Sequence, residues 1–166
     1  IEEIKNSSAQ DIKKISNKEL WLMGIMLYWK ERFLNENEND IRKGVRFTSS
    51  DPNLIKLFLK WLKDIGKIKN EEIGFDIFAS EDKRDQIKNF IDYWAEITDF
   101  PREYLSHIYF QKAGLKKVEL KRKIKQINKR KIVKKAYFGL LRIRVKASSM
   151  LARQIAGWIR GIKNNI

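Results

Sequence analysis

The sequence predicts an α+β domain, a mostly antiparallel four-stranded sheet covered by helices on one face. Three observations lead there. Short segments with period-2 alternation lie between longer segments whose apolar residues recur at helical spacing. The turns joining them lack the Gly-rich phosphate loop of a dinucleotide-binding fold. Five Trp and nine Phe in 166 residues supply a core suited to one folded domain.

Each element has its own signal. Residues 1–16 form an N-terminal arm, in which 7–15 read as a short helical turn. Ser16 caps the next helix, and Glu19 three residues later completes a capping box. That helix runs to about residue 33, and residues 20–29 are apolar on every side, which predicts a helix buried all round. Residues 35–43 are polar and read as a loop. Residues 45–48 alternate as a first strand. Ser50, Asp51 and Pro52 open a second helix, which carries Leu54, Ile55, Leu57, Phe58, Trp61, Leu62 and Ile65 and stops at Gly66. Residues 73–78 read as the second strand. Residues 82–98 read as a third helix with Ile87, Phe90, Ile91 and Trp94 on one face, closed by Pro101. Residues 104–110 read as the third strand. Leu140, Ile143 and Val145, with basic residues between them, read as the fourth. Ser148 or Ser149 starts a last helix, whose apolar stripe is Met150, Leu151, Ile155, Trp158, Ile159 and Ile162.

Composition narrows the function. Lys and Arg number 36 against 21 Asp and Glu, so the formal charge is 36 − 21 = +15. A chain this basic repels itself and gains when it meets a polyanion, because phosphate contacts release condensed counterions. There is no cysteine, which excludes disulfides, zinc fingers, iron–sulfur clusters and cysteine nucleophiles. The single histidine, His107, cannot form a two-histidine metal site. The longest apolar run, residues 20–29, is shorter than the roughly 20 residues a membrane span needs and has no cleavage pattern, so no membrane partner is expected. The expected location is intracellular: cytoplasmic, and nucleoid-associated if the source is bacterial. The first residue is Ile1 rather than Met, which leaves room for an upstream domain.

The positive charge is concentrated. Residues 112–135 hold twelve basic residues and one acid, Glu119. The basic residues are Lys112, Lys116, Lys117, Lys121, Arg122, Lys123, Lys125, Lys129, Arg130, Lys131, Lys134 and Lys135. Val118, Leu120 and Ile124 alternate with charges in the pattern of a two-stranded ribbon, although Leu120, Ile124 and Ile127 also satisfy helical spacing. A ribbon of that width fits a DNA major groove; the alternative is a solvated loop. Arg142, Arg144 and Lys146 continue the charge at alternating positions of the fourth strand, opposite Leu141, Ile143 and Val145. One sheet face is then cationic, with Arg46 of the first strand beside it, and the other apolar.

Residues 22–31, Leu-Met-Gly-Ile-Met-Leu-Tyr-Trp-Lys-Glu, resemble the signature helix of the LAGLIDADG homing endonucleases. The likeness extends in looser form to residues 45–52 with the helix after them, and to 138–149 with Gly157, Trp158 and Ile159, so it covers most of 18–163. It implies a LAGLIDADG-like domain over 17–166, with 112–135 as a basic insertion and a saddle-shaped sheet lying on double-stranded DNA. It also implies two signature helices side by side, each ending in an acid that helps hold a divalent metal. Only one such helix is present, so the resemblance implies a homodimer through helix 18–33, with Glu31 as the matching catalytic and metal-binding acid and Mg²⁺ as cofactor of an active nuclease. The family keeps small residues where its helices touch; here those positions fall on Met26 and Lys30, with Gly24 one turn earlier, and Arg32 stands where Gly usually follows the acid. These departures favour DNA binding with cleavage lost. An active homodimeric, metal-dependent, site-specific endonuclease is the alternative, and an RNA-binding intron-splicing cofactor a third. From the residues alone, Glu31 at a helix C-terminus opposes the helix dipole and needs a cation, either a metal or Lys30 or Arg32.

Overall fold

A computed structural model of the chain describes residues 2–32, 42–112 and 137–166. In order, these form α1 (Glu2–Asp11), α2 (Asn17–Arg32), β1 (Arg46–Ser49), α3 (Pro52–Asp64), β2 (Ile73–Ser80), α4 (Ile87–Thr98), β3 (His107–Gln111), β4 (Leu140–Val145) and α5 (Ser149–Lys163). The fold is α+β, with five helices and one four-stranded sheet among the described residues.

The strand order is β1-β4-β2-β3. β4 pairs antiparallel with β1 and with β2, whereas β2 and β3 run parallel. The sheet is therefore mixed, which corrects the mostly antiparallel expectation. The cause is the connection: α4 carries the chain from the end of β2 back to the start of β3, and a helical crossover of that kind delivers a parallel strand. β3 also begins later than expected, because Arg102–Leu105 forms a turn of 3₁₀ helix after Pro101. Likewise Glu81–Gln86 is 3₁₀, so α4 starts at Ile87.

The caps follow the sequence closely. Ser16 N–H donates to Glu19 Oε2 at 2.6 Å and Glu19 N–H to Ser16 Oγ at 3.3 Å, a capping box. Asp51 caps α3 by accepting from Asn53 N–H at 2.8 Å, with Pro52 at the first helical position. At the other end of α3 the left-handed residue is Lys67, φ 53°, not Gly66.

One core joins the sheet to the helices. Phe47, Ile73, Phe75, Ile77, Ala79, Leu141, Ile143 and Val145 are all buried with Ile55, Phe58, Trp61, Leu62, Phe90, Trp94, Leu151 and Ile155. Phe47 stacks on Phe58 at 4.6 Å, tying β1 to α3. Ser148 closes the seam between distant parts of the chain: its hydroxyl accepts from Val45 N–H at 2.8 Å and donates to Val145 C=O at 2.6 Å.

The helix expected to be buried all round is buried on one side. Leu20, Gly24, Ile25 and Tyr28 face the core, while Leu22, Met23 and Met26 are exposed. Leu27 and Trp29, which that expectation also places inside, are half-buried. α2 lies directly on α3: a Cβ on Gly24 would stand 2.0 Å from Trp61 Cδ1, and the Trp61 indole N–H donates to Trp21 C=O at 3.1 Å. Trp158 of α5 meets both Trp21 and Trp61 edge-on. The small residue of α2 thus serves packing inside one chain. No described helix is long and apolar enough to cross a membrane.

Candidate nucleic-acid interface

Alternation along the strands sorts their side chains into two sets. With Leu141, Ile143 and Val145 turned into the core, Arg142 and Arg144 share the opposite face. Register extends that face across the sheet. Arg46 stands opposite Arg144, which stands opposite Gly74; Thr48 stands opposite Arg142, then Asp76, then His107. Phe78 and Tyr109 follow one step on, then Ser80 and Gln111. This open face carries three arginines and one acid, 3 − 1 = +2.

The arginines are held differently. Arg144 Nε pairs with Asp76 Oδ2 at 2.7 Å, and Asp76 is only 3% exposed. Arg142 Nε approaches Thr48 Oγ1 at 3.4 Å, and its guanidinium lies 4.4 Å from the Phe78 ring centroid. Phe78 in turn stacks on Tyr109 at 5.2 Å, which leaves Tyr109 about half exposed at the edge strand. Arg46 has no ion-pair partner among the described residues. Lys146 lies past the end of β4: its Nζ donates to Glu71 C=O at 2.9 Å, so it is tethered to the turn before β2.

The structure therefore brings together Arg46, Arg142 and Arg144, and sets Lys146 at the rim. Lys112 follows β3 and is exposed. Lys116, Lys117, Lys121, Arg122, Lys123, Lys125, Lys129, Arg130, Lys131, Lys134 and Lys135, with the ribbon expected there, lie outside the described residues. Of the three basic residues expected on β4, Arg144 shares its charge with Asp76. Asp76, Thr48, His107, Phe78, Tyr109 and Gln111 are additions to the sequence-derived set. Their signal was parity: Gly74, Asp76 and Phe78 alternate with the apolar Ile73, Phe75 and Ile77, and so belong to the face opposite the core.

Glu31 lies in the last turn of α2 and is exposed. No three His, Asp or Glu side chains gather among the described residues in a way that could hold a metal ion. Mg²⁺ is commonly held by one or two carboxylates together with waters and substrate phosphates, and Glu31 is the one carboxylate that the sequence-derived set offers for that role. No protein-family model matches the chain, and comparison with curated proteins and with solved structures gives no match.

Proposed function

We propose that this chain binds double-stranded DNA through the open face of its sheet, extended by the basic segment 112–135, in the manner of a LAGLIDADG-like protein whose cleavage activity has been lost. The observation that carries this is the convergence of Arg46, Arg142 and Arg144 from two strands onto the face opposite the core, with one acid among them. The overall charge of +15 supplies the long-range attraction. The cationic face supplies positioning contacts to phosphates. A homodimer through helix 18–33 belongs to the same reading; what supports it is the exposed apolar strip Leu22, Met23 and Met26 on α2. Such a role puts the chain where the DNA is, in the cytoplasm and on the nucleoid if the source is bacterial.

The test is a titration of a fluorescent duplex in EDTA over a range of salt. Affinity falls with salt at a log–log slope of about −0.9 per contacted phosphate, so replacing Arg46 and Arg142 together by Ser flattens the slope by up to about 1.8. An unchanged slope, or no binding by the wild type, overturns the assignment. Cleavage is tested beside it with plasmid and Mg²⁺: nicking by the wild type that disappears in Glu31→Gln restores the endonuclease reading with Glu31 as a metal ligand.

A further inference from the structure

The open face contains one arrangement that is poor design for stability alone. Arg46 and Arg144 stand directly opposite each other on antiparallel strands. Residues so placed have Cα atoms about 4.5–5.5 Å apart, and like charges there repel. Beside them Asp76 is buried in the middle of the sheet, yet it is only half satisfied: Oδ2 takes Arg144 Nε, and Oδ1 has no hydrogen-bond partner. A buried carboxylate held by one ion pair is a costly way to fill a sheet position that an apolar side chain would fill without desolvation.

What Asp76 does accomplish is orientation. A Cβ on Gly74 would stand 3.5 Å from Arg144 Nη2, 3.6 Å from Cζ and 3.7 Å from Nη1. Three nearly equal distances mean that the guanidinium lays its flat face over Gly74, at a separation where even a Cβ would make ordinary contact. Asp76 fixes the Nε edge, and the Nη1 and Nη2 edge has no partner among the described residues. The result is a fork clamped on one face and one edge, with Arg46 adjacent and carrying the charge that Asp76 does not cancel.

Resting on the reading of this face as a DNA-binding surface, we infer that Arg46 and Arg144 form a seat for one backbone phosphate. Asp76 is its positioning residue and Gly74 its floor. Two non-bridging oxygens match the paired N–H groups of a guanidinium, and charge-assisted bonds of this kind are the strong ones. The edge of guanine, with O6 and N7 side by side, offers the same pair of acceptors, so the experiment separates the two sources.

Binding is measured on a duplex of A·T pairs only and on one of G·C pairs only, in EDTA. Asp76→Asn decides by its sign. It adds one positive charge to the face, so if Asp76 merely neutralises Arg144, both duplexes bind more tightly. If Asp76 positions the fork, both bind more weakly, by about three- to tenfold, despite the added charge. Arg144→Lys keeps the charge and loses the fork, and weakens both duplexes alike. Tighter binding by Asp76→Asn overturns the positioning role, and a loss confined to the G·C duplex overturns the phosphate assignment. Should Asp76→Asn fail to fold, as read by circular dichroism, Arg144→Lys leaves a cation beside Asp76 and decides alone: unchanged binding overturns the seat. A wild type that retains neither duplex instead brings down the DNA reading beneath it.

Discussion

β4 shows two ways of using a side chain within six residues. Leu141 and Ile143 are fully buried, and Val145 nearly so, whereas Arg142 and Arg144, one position away, are half-buried on the open side. The closed side is held by apolar burial, about 1.5–3 kcal/mol for each large side chain, and by packing that salt and pH scarcely reach. The open side is held by charge, hydrogen bonds and ring contacts, of which the charge interactions weaken with salt. The period of two that places every other residue in the core also guarantees that the remaining ones form a second surface. Here that surface is cationic because each outward residue on β4 after Leu140 is Arg.

The strongest attempt to break this division is at the packed centre of the closed side. Trp61 is fully buried between Gly24, Phe58 and Trp158. Trp61→Ala is expected to cost about 3–5 kcal/mol in urea denaturation, as large aromatic deletions from cores do. A loss below about 1 kcal/mol would show that α2 and α3 are not held together by this contact. Next in size is Ser148→Ala, which removes one small hydroxyl but leaves the buried Val45 N–H without its acceptor. A cost of about 1–3 kcal/mol follows from the lost partner. Arg142→Ser sharpens the contrast from the other side. Its ring contact and long hydrogen bond are worth less than about 1 kcal/mol to folding, while the same substitution weakens duplex binding. A variant that loses stability and affinity in proportion would erase the distinction between the faces.

How far the sequence revealed this depended on whether the signal was local. The caps at Ser16 and Asp51 are fixed by residues two or three apart, and both appear as expected. The two faces of β4 are fixed by alternation, and appear likewise. The parallel β2–β3 pair was not legible, because strand direction depends on where the chain re-enters the sheet and not on the strand's own residues. The exposed side of α2 was missed for a related reason. Leu22, Met23 and Met26 are as apolar as Ile25, and only the position of Trp61 decides which side faces inward. Asp76 was visible as an acid in a strand, but its meaning came from Arg144, sixty-eight residues away and adjacent only in the sheet.

The smallest effect lies at the start of α2, where a charge-dependent cap precedes a packed helix. The Glu19 carboxyl is held below the ordinary carboxylate range, chiefly by the Ser16 hydroxyl and then by the Ser16 backbone N–H. Both partners favour the ionised form. The cap's contribution is therefore fully present above the unfolded value of about 4.3 and is lost as pH falls through the lower folded value. A carboxyl-carbon NMR titration of Glu19 should show a midpoint lower than that of an unstructured glutamate, and the Ser16 amide should exchange faster on the acid side of that midpoint. The amides around Gly24, pressed against Trp61, should not change over the same range, since nothing at that contact titrates. Glu19→Gln should remove the pH dependence at Ser16 and leave the centre of the helix as it was. If the two ends of α2 loosened together in acid, the cap and the core would be a single unit, and the separation of polar rim from packed interior would not hold along this helix.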